Sequence, residues 1–508
     1  MRLANFPFVA VAVSLALGIV VADVLSGSMG LSLWLLLLLL AVLVSSFCLR
    51  RRLLQTILLF VSVSLLGASL ASLRLSKIRR PLPQGFCCYD AIVMSSPEAR
   101  AKTMAVDLRI VDGEMDGRRV RAWFRKDSMG RSAALQAGDG VSVCSELMVP
   151  KDFGNRRGYA RWMEAHGYEA QTFVGIGQWQ KAAVSMRSLS HMEVVRLKAL
   201  RLRSRLLHEG LGQYVSGDGY AVVAAMALGD KSGLDRELRE TFSVAGGSHI
   251  LALSGLHLGM VYMMLSLVMG HWRRRWAGKT IQMAAIWAFV VLAGMPASLV
   301  RAALMLTVYW LAGLSGRQGG GLNSLGVAAT VMIVQNPLVL WDVGFQMSVL
   351  AVAGILVCYQ PLMDFVNRKW LSEHPVVGWL WSMAVLSLSA QIGVAPLVMY
   401  HFHRFSTYFL LTNMIAVPAA TILLQLAMVF FLCWPLKMMQ AVLGKLIAYV
   451  AGLLGSYMST ISSLPMSSIE GINLTACQTV LIYVLLMVCG GIFYYLRKMH
   501  RLSRYTLK

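Results

Sequence analysis

Gly246-Gly247-Ser248-His249-Ile250-Leu251-Ala252-Leu253-Ser254-Gly255-Leu256-His257-Leu258-Gly259 opens the second apolar half of the chain. It sets two histidines and a serine in a segment otherwise apolar enough to enter a bilayer. Strongly polar groups are costly in hydrocarbon, so they face a protein interior or a water-filled path. Gly246, Gly247, Gly255 and Gly259 are expected to break a helix here or to let neighbouring helices approach closely. The plain alternative is that Ser254 and the glycines only pack helices, while His249 and His257 satisfy nearby carbonyls.

Composition around this stretch sets the class. Of 508 residues, 57% are hydrophobic and only 14% are charged, whereas a soluble domain is about 45–50% apolar and about 25% charged. Runs such as Leu35–Leu40 are continuous rather than alternating, which points to helices and not to a membrane barrel. The expected fold is a polytopic α-helical membrane protein of about 12 spans with a small all-β domain inserted. Spans are expected near 6–22, 31–49, 53–73, 249–270, 280–294, 298–314, 322–340, 343–360, 377–399, 407–433, 437–461 and 475–496. The first resembles a signal peptide, with Val20-Val21-Ala22 like a cleavage site, but its weak n-region favours an uncleaved helix. Four segments result: transmembrane helices over 1–77, the β domain over 78–185, amphipathic or interfacial helices over 186–245, and a membrane domain over 246–508. Arg50-Arg51-Arg52 marks a cytoplasmic loop, which places 78–185 outside and both termini inside; Arg404 is the one small exception to the basic-loop bias.

Within 78–185, the alternating runs Ala91–Ser95, Ala105–Val111, Val120–Phe124 and Val141–Leu147 predict half-buried strands. A helix is expected near Arg157–Ala165 and a last strand near Glu169–Val174, so the domain should be a small barrel or sandwich. The net charge is +23, and residues 77–210 alone hold 23 Lys/Arg against 14 Asp/Glu. Such a surplus suggests an anionic partner, nucleic acid or lipid headgroups. Arg121, Arg125, Lys126, Arg156 and Arg157 are the candidate phosphate contacts, beside Trp123 and Phe124, although alternation buries Phe124. Residues 190–209 alternate basic and apolar and read as a helix at the membrane surface. Cys144 pairs with Cys87 or Cys88 if this part faces an oxidising compartment.

Several chemistries are disfavoured. After residue 245 the only acidic residues are Asp342, Asp364, Glu373 and Glu470, none in mid-span, which argues against cation-coupled transport. No metal-ligand spacing, HExxH or ATP-binding loop occurs, so neither metal nor cofactor is expected. Ser254 and His257 raise an intramembrane hydrolase as an alternative, but neighbours on one helix face are poorly placed to act as nucleophile and base. Arg301, just inside a span, either snorkels to the surface, holds a helix break or contacts an anion.

The residues resemble the ComEC-type competence proteins, inner-membrane channels for transforming DNA. Ala227-Leu228-Gly229-Asp230-Lys231-Ser232-Gly233-Leu234 is similar to that family's lead-in, and Gly247 through His257 is similar to its hallmark segment. Arg301-Ala302-Ala303-Leu304-Met305, Asn336-Pro337, Val343 through Ser348, Gln391, Pro396 and Asn413 through Pro418 continue the likeness. Gly138-Asp139, Asp152 through Asn155 and Tyr159 through Gly167 resemble the family's extracytoplasmic OB-like domain, although Asn155-Arg156-Arg157-Gly158-Tyr159 departs from its usual pattern and adds two arginines. The resemblance implies a channel for single-stranded DNA, with His249, Ser254, His257, Arg301, Gln346 and Asn413 along the path. It implies membrane lipid, a DNA receptor outside, a separate nuclease and a cytoplasmic motor or single-strand-binding protein as partners. The metallo-β-lactamase-like domain that many members carry has no counterpart here, so no enzymatic activity is implied. A transporter for a smaller anionic or lipid-linked substrate is the other alternative.

Overall fold

The computed structural model describes residues 6–25, 29–48, 50–111, 113–127, 130–152, 158–314 and 320–506. The chain is mostly helical, with one small β domain. By its internal contacts it divides into two compact units, Met1–Leu238, Ile250–Phe345 and Ala420–Gly455 in one, and Arg239–His249, Gln346–Ala419 and Ser456–Lys508 in the other.

The first unit begins with α1 (Pro7–Val24), α2 (Leu31–Phe47) and α3 (Arg52–Ile78). Pro7 sits in the first turn of α1, where its missing N–H costs nothing. α1 is closely packed: Leu15, Ile19 and Ala22 are almost wholly buried. Its small residues set the approach to α3, since a Cβ on Gly18 would fall 1.7 Å from the Ser64 carbonyl oxygen and one on Gly67 would fall 2.4 Å from that of Leu15.

The β domain follows, with strands β1 (Phe86–Val93), β2 (Glu98–Ala99), β3 (Thr103–Ile110), β4 (Arg119–Arg125), β5 (Gly140–Glu146), β6 (Ala170–Val174) and β7 (Trp179–Lys181), and α4 (Tyr159–Ala165) between β5 and β6. The sheet order is β6-β4-β3-β1-β5-β7, with β2 on β3; β4 and β6 run parallel and the other pairs antiparallel. A bridge between Met148 and Gln171 and the 2.8 Å contact of Thr172 Oγ1 with Ser145 Oγ bring β5 against β6, curling the sheet around one core. That core is built from the alternate residues of the strands, among them Val106, Leu108, Val120, Ala122, Phe124, Val141 and Val143. Cys88 and Cys144 face each other across β1 and β5 and form a disulfide, while Cys87 points the other way and packs against the core.

α5 (His191–Arg205) starts in a capping box in which Ser190 and Glu193 satisfy each other's backbone N–H groups. One face of α5 packs against the β domain and the other is exposed. Leu197 and Leu200 are buried with Ile92, Met94 and Ala137 of the β domain and with Leu189 of the linker, leaving Met192, Val195 and Leu202 exposed. Of the basic side chains, Arg203 is drawn inward and donates to the carbonyls of Leu228 (3.3 Å) and Ala293 (3.4 Å), while Lys198, Arg201 and Arg205 are exposed.

The chain continues through α6 (Gly217–Leu228), α7 (Arg236–Val244), α8 (Gly255–Met269), α9 (Trp276–Leu292), α10 (Ala297–Leu314), α11 (Gly321–Gln335), α12 (Val343–Met363), α13 (Arg368–Glu373), α14 (Pro375–Phe402), α15 (Phe409–Leu432), α16 (Lys437–Ser463) and α17 (Ala476–Thr506). The span expected at 249–270 begins only at Gly255, and that expected at 322–340 ends as an α-helix at Gln335, ahead of Asn336-Pro337. Seven helices among the described residues are long and apolar enough to cross a membrane, α1, α3, α12, α14, α15, α16 and the Ala476–Phe493 part of α17. Several shorter apolar helices accompany them. In the second unit β8 (Arg404–Ser406) pairs with β9 (Ser468–Glu470), and Arg404 is neutralised by Glu240 at 2.7 Å and Glu470 at 3.0 Å.

Candidate functional site

The helix that the hydrophobic pattern favours does not run through the stretch 245–254, because α7 stops at Val244 and α8 starts at Gly255. Gly246 takes a left-handed backbone (φ +83°), and the Gly247 N–H donates to the Phe242 carbonyl at 2.7 Å, closing the end of α7. A side chain at Gly246 would meet Ser406 Oγ at 2.7 Å, and one at Gly247 would meet Met458 Cε at 3.0 Å. The Thr412 hydroxyl donates to the Ala245 carbonyl at 2.7 Å, satisfying backbone that the break leaves unpaired. Gly255 lies in ordinary contact with Ala302 at 3.5 Å, whereas a Cβ on Gly259 would meet nothing within 4 Å. Gly259 is therefore not a packing glycine among the described residues.

Ser254 is the N-cap of α8 and His257 the third residue in, and together they form a capping box. The Ser254 N–H donates to His257 Nδ1 at 3.2 Å, and Ser254 Oγ lies 2.9 Å from the same nitrogen. A ring nitrogen that accepts an N–H carries no proton, so the neutral imidazole holds its proton on Nε2. His257 is buried, so this one donor is fixed in place. Capping accounts for both side chains without catalysis. Ser254→Asn, which keeps a capping oxygen, is expected to leave thermal stability within about 0.5 kcal/mol of wild type, and Ser254→Ala to cost about 1 kcal/mol, read as thermal midpoints in detergent.

Of the six expected path residues, Ser254, His257 and Arg301 belong to the first unit and His249, Gln346 and Asn413 to the second. His249 is exposed in the turn, while Gln346 and Asn413 are half-buried. Arg301 does not snorkel. It is 1% exposed, its Nη1 and Nη2 have no hydrogen-bond partner among the described residues, and its guanidinium lies 5.8 Å from the Phe345 ring centre. Asp342 is the acidic group acting on it, but that carboxylate already accepts the Phe345 N–H at 2.7 Å and lies 3.5 Å from His166 Nε2.

The candidate phosphate contacts of the β domain separate. Arg121 is buried and ion-paired with both Asp107 and Glu98, so its charge is spent inside the domain, contrary to expectation. Burial alone would pull its guanidinium down, yet the two carboxylates more than offset this and it titrates above the usual arginine range. Arg125 and Lys126 are exposed. Arg156 and Arg157 lie outside the described residues.

Glu193 joins α5 to the sheet through Arg109 and Arg119. Burial pushes its carboxyl up, but hydrogen bonds from Ser190 and the neighbouring arginines outweigh this and hold it below the ordinary value. A carboxyl depressed in the folded state stabilises above its unfolded pKa, about 4.3, and loses that contribution as pH falls through the folded value. Glu193→Ala is expected to cost on the order of 2 kcal/mol near neutral pH. The gap to wild type should narrow below about pH 4 in thermal unfolding.

The sequence did not reveal Phe173. Its ring stacks on Trp123 with centroids 5.0 Å apart and planes at 21°. The pair forms only because β6 lies parallel beside β4, a non-local pairing that periodicity does not report.

A family model described as Competence protein matches residues 226–497. Among curated proteins, the chain is 25% identical over 346 residues to ComE operon protein 3 of Bacillus subtilis (strain 168), covering 66% of this chain and 41% of that protein. It is 23% identical over 258 residues to Recombination protein 2 of Haemophilus influenzae, covering 48% and 31%. It is 25% identical over 235 residues to Uncharacterized protein YcaI of Escherichia coli (strain K12), covering 43% and 30%. The matches thus span less than half the length of each relative. No solved structure matches the chain significantly.

Proposed function

The chain belongs to the Competence protein family, and on that premise we propose that it conducts one strand of DNA across the cytoplasmic membrane during natural transformation. The observation that carries this reading is the helix break at 245–254, inside the matched region. A polyanion crossing about 30 Å of hydrocarbon needs N–H donors and fixed polar groups at depth. The N-terminal turn of α8 and the Nε2–H of His257 are groups of that kind. We read the curled β sheet, with its one parallel pair, as an OB-like barrel on the extracytoplasmic side. Counting shorter apolar helices such as Leu31–Phe47 and Trp276–Leu292 with the long ones supports about 12 spans, with both termini cytoplasmic.

In this reading the basic outer domain gathers DNA by counterion release, and the strand passes Ser254, His257 and Arg301 of the first unit. The chain performs no chemical step of its own. An outer receptor delivers the DNA, a separate nuclease removes the complementary strand, and a cytoplasmic motor or single-strand-binding protein draws the product in.

The test is cytoplasmic entry of fluorescently labelled DNA in a deletion strain and in strains restored with His257→Ala or His257→Gln. Glutamine preserves the capping box, so the Gln variant should accumulate like wild type yet fail to restore entry. Entry that survives deletion of the gene would overturn DNA transport and turn attention to a smaller anionic or lipid-linked substrate.

A further inference from the structure

α4 seats the β domain on the helices. Its Arg161 pairs with Asp23 at 2.9 Å, and its Glu164 with Arg79 at 2.8 Å. Arg161 also lies over the Trp341 ring at 4.8 Å, and Asn336 Nδ2 donates to the Ala165 carbonyl at 2.7 Å. These contacts hold α4 against the ends of α1 and α3 and against the link between α11 and α12, without help from His166. His166, which ends α4, makes a contact of another kind. Its Nδ1–H donates to the Trp162 carbonyl at 2.9 Å, and its Nε2 lies 3.5 Å from Asp342 Oδ2. With Nδ1 as donor, Nε2 meets that carboxylate favourably only when the ring carries both protons.

Both oxygens of Asp342 are therefore claimed. Oδ1 accepts the Phe345 N–H at the start of α12, and Oδ2 faces His166. Behind them lies Arg301, buried and acted on by the charge of Asp342, yet without an ion pair to it among the described residues. A guanidinium beside a carboxylate ordinarily closes on it as a two-pronged pair, and more strongly where water is scarce. Closure would relieve Arg301 of part of its desolvation cost. The open arrangement persists because Asp342 is held elsewhere.

Building on the DNA-transport reading, and resting on it, we infer that His166 is a positioning residue for the path: by holding Asp342 it keeps that carboxylate from closing on Arg301, and the guanidinium stays open to a passing phosphate. His166 touches no strand itself and acts through Asp342. Because α4 belongs to the β domain, the seating of that domain sets the charge that a strand meets at Arg301.

The experiment uses the full-length protein, with variants compared at matched protein level. Cytoplasmic entry of labelled DNA reads the path, and thermal midpoints in mild detergent read the charge balance without DNA. His166→Leu leaves the other contacts of α4 in place, so its midpoint should not fall. Its DNA entry should nevertheless drop about 5-fold or more, as Asp342 turns to Arg301. His166→Lys, which restores a cation, should recover part of that entry. His166→Leu combined with Arg301→Met should admit no less DNA than Arg301→Met alone. Asp342→Asn keeps a capping oxygen for α12 and removes only the charge. It should lower the midpoint of the wild type, where it strands a buried guanidinium, and leave that of Arg301→Met unchanged. Undiminished entry in His166→Leu, or a loss that multiplies with that of Arg301→Met, overturns the positioning role. An equal fall in midpoint on both backgrounds overturns the sharing of Asp342 and leaves it a helix cap. Normal entry in a deletion strain overturns DNA transport and His166's part in it, while the midpoints still decide whether Asp342 serves Arg301.

Discussion

Gly18→Ala is expected to strip the protein of its folded form, although it adds a single methyl group. A Cβ there would lie 1.7 Å from a backbone oxygen of α3, Ser64 O, with Ser64 C at 2.5 Å. No side-chain rotation relieves a clash with backbone, so α1 and α3 must separate. The damage extends further, because α1 is held from a second side, where a Cβ on Gly326 of α11 would fall 2.6 Å from the Val9 nitrogen. In a membrane, helices associate through such close packing rather than through the hydrophobic effect, so spacing them apart removes most of what joins them. The expected cost is about 3 kcal/mol or more, above the usual range for overpacking a core because backbone must move. Gly259→Ala is the control, since its new methyl would meet nothing within 4 Å. Size-exclusion profiles of fluorescently tagged protein extracted in mild detergent should show a monodisperse peak for Gly259→Ala and aggregate for Gly18→Ala. A monodisperse Gly18→Ala with an unchanged thermal midpoint would overturn the requirement for close backbone contact between α1 and α3.

Arg301→Met is expected to do the opposite, keeping or raising stability while abolishing transport. Arg301 is among the largest fully buried side chains, and its two terminal nitrogens lack hydrogen-bond partners among the described residues. A guanidinium in that setting keeps its desolvation cost and recovers only part of it from the Phe345 ring and the charge of Asp342. Replacing a buried ionic group by an apolar one of similar length is neutral or stabilising by about 1–4 kcal/mol. In the proposed path the part of Arg301 is to meet phosphate. Labelled-DNA entry should fall at least about 10-fold in Arg301→Met at wild-type protein level. Arg301→Lys should recover part of it, because it restores the charge without the planar fork. Wild-type entry in Arg301→Met would remove Arg301 from the path. A marked drop in its thermal midpoint would show instead that the guanidinium holds the fold together.

Much of the architecture was legible in local pattern. Continuous apolar runs identify helices such as α14 and α15 to within a few residues, because hydrocarbon demands an unbroken apolar length. The strands β1 and β3 to β6 follow from alternation, because one face of each must be buried. The break in the key stretch follows from Gly246-Gly247, since the left-handed turn at Gly246 is cheap only for glycine. The site was less legible. Sequence brought out Ser254 and His257 as a pair, but their roles as cap and acceptor depend on where α8 begins, and the pattern placed that start too early.

By itself, then, the sequence determined the long apolar helices consistent with a membrane protein, the inserted β domain, its basic charge and the polar stretch within the second apolar half. These are properties of local composition and period, and each is fixed by the contrast between water and an apolar surrounding. Only the tertiary structure decided which charges remain available. Arg121 and Arg125 stand on the same face of the same strand, yet one is consumed by Asp107 and Glu98 and the other has no carboxylate partner among the described residues. It also chose Cys88 over Cys87 for Cys144, joined Trp123 to Phe173 and drew the leucines of α5 onto the sheet. Each of these outcomes depends on which distant segments become neighbours, and the energy of a charge, a thiol or a ring is set by those neighbours rather than by its place along the chain.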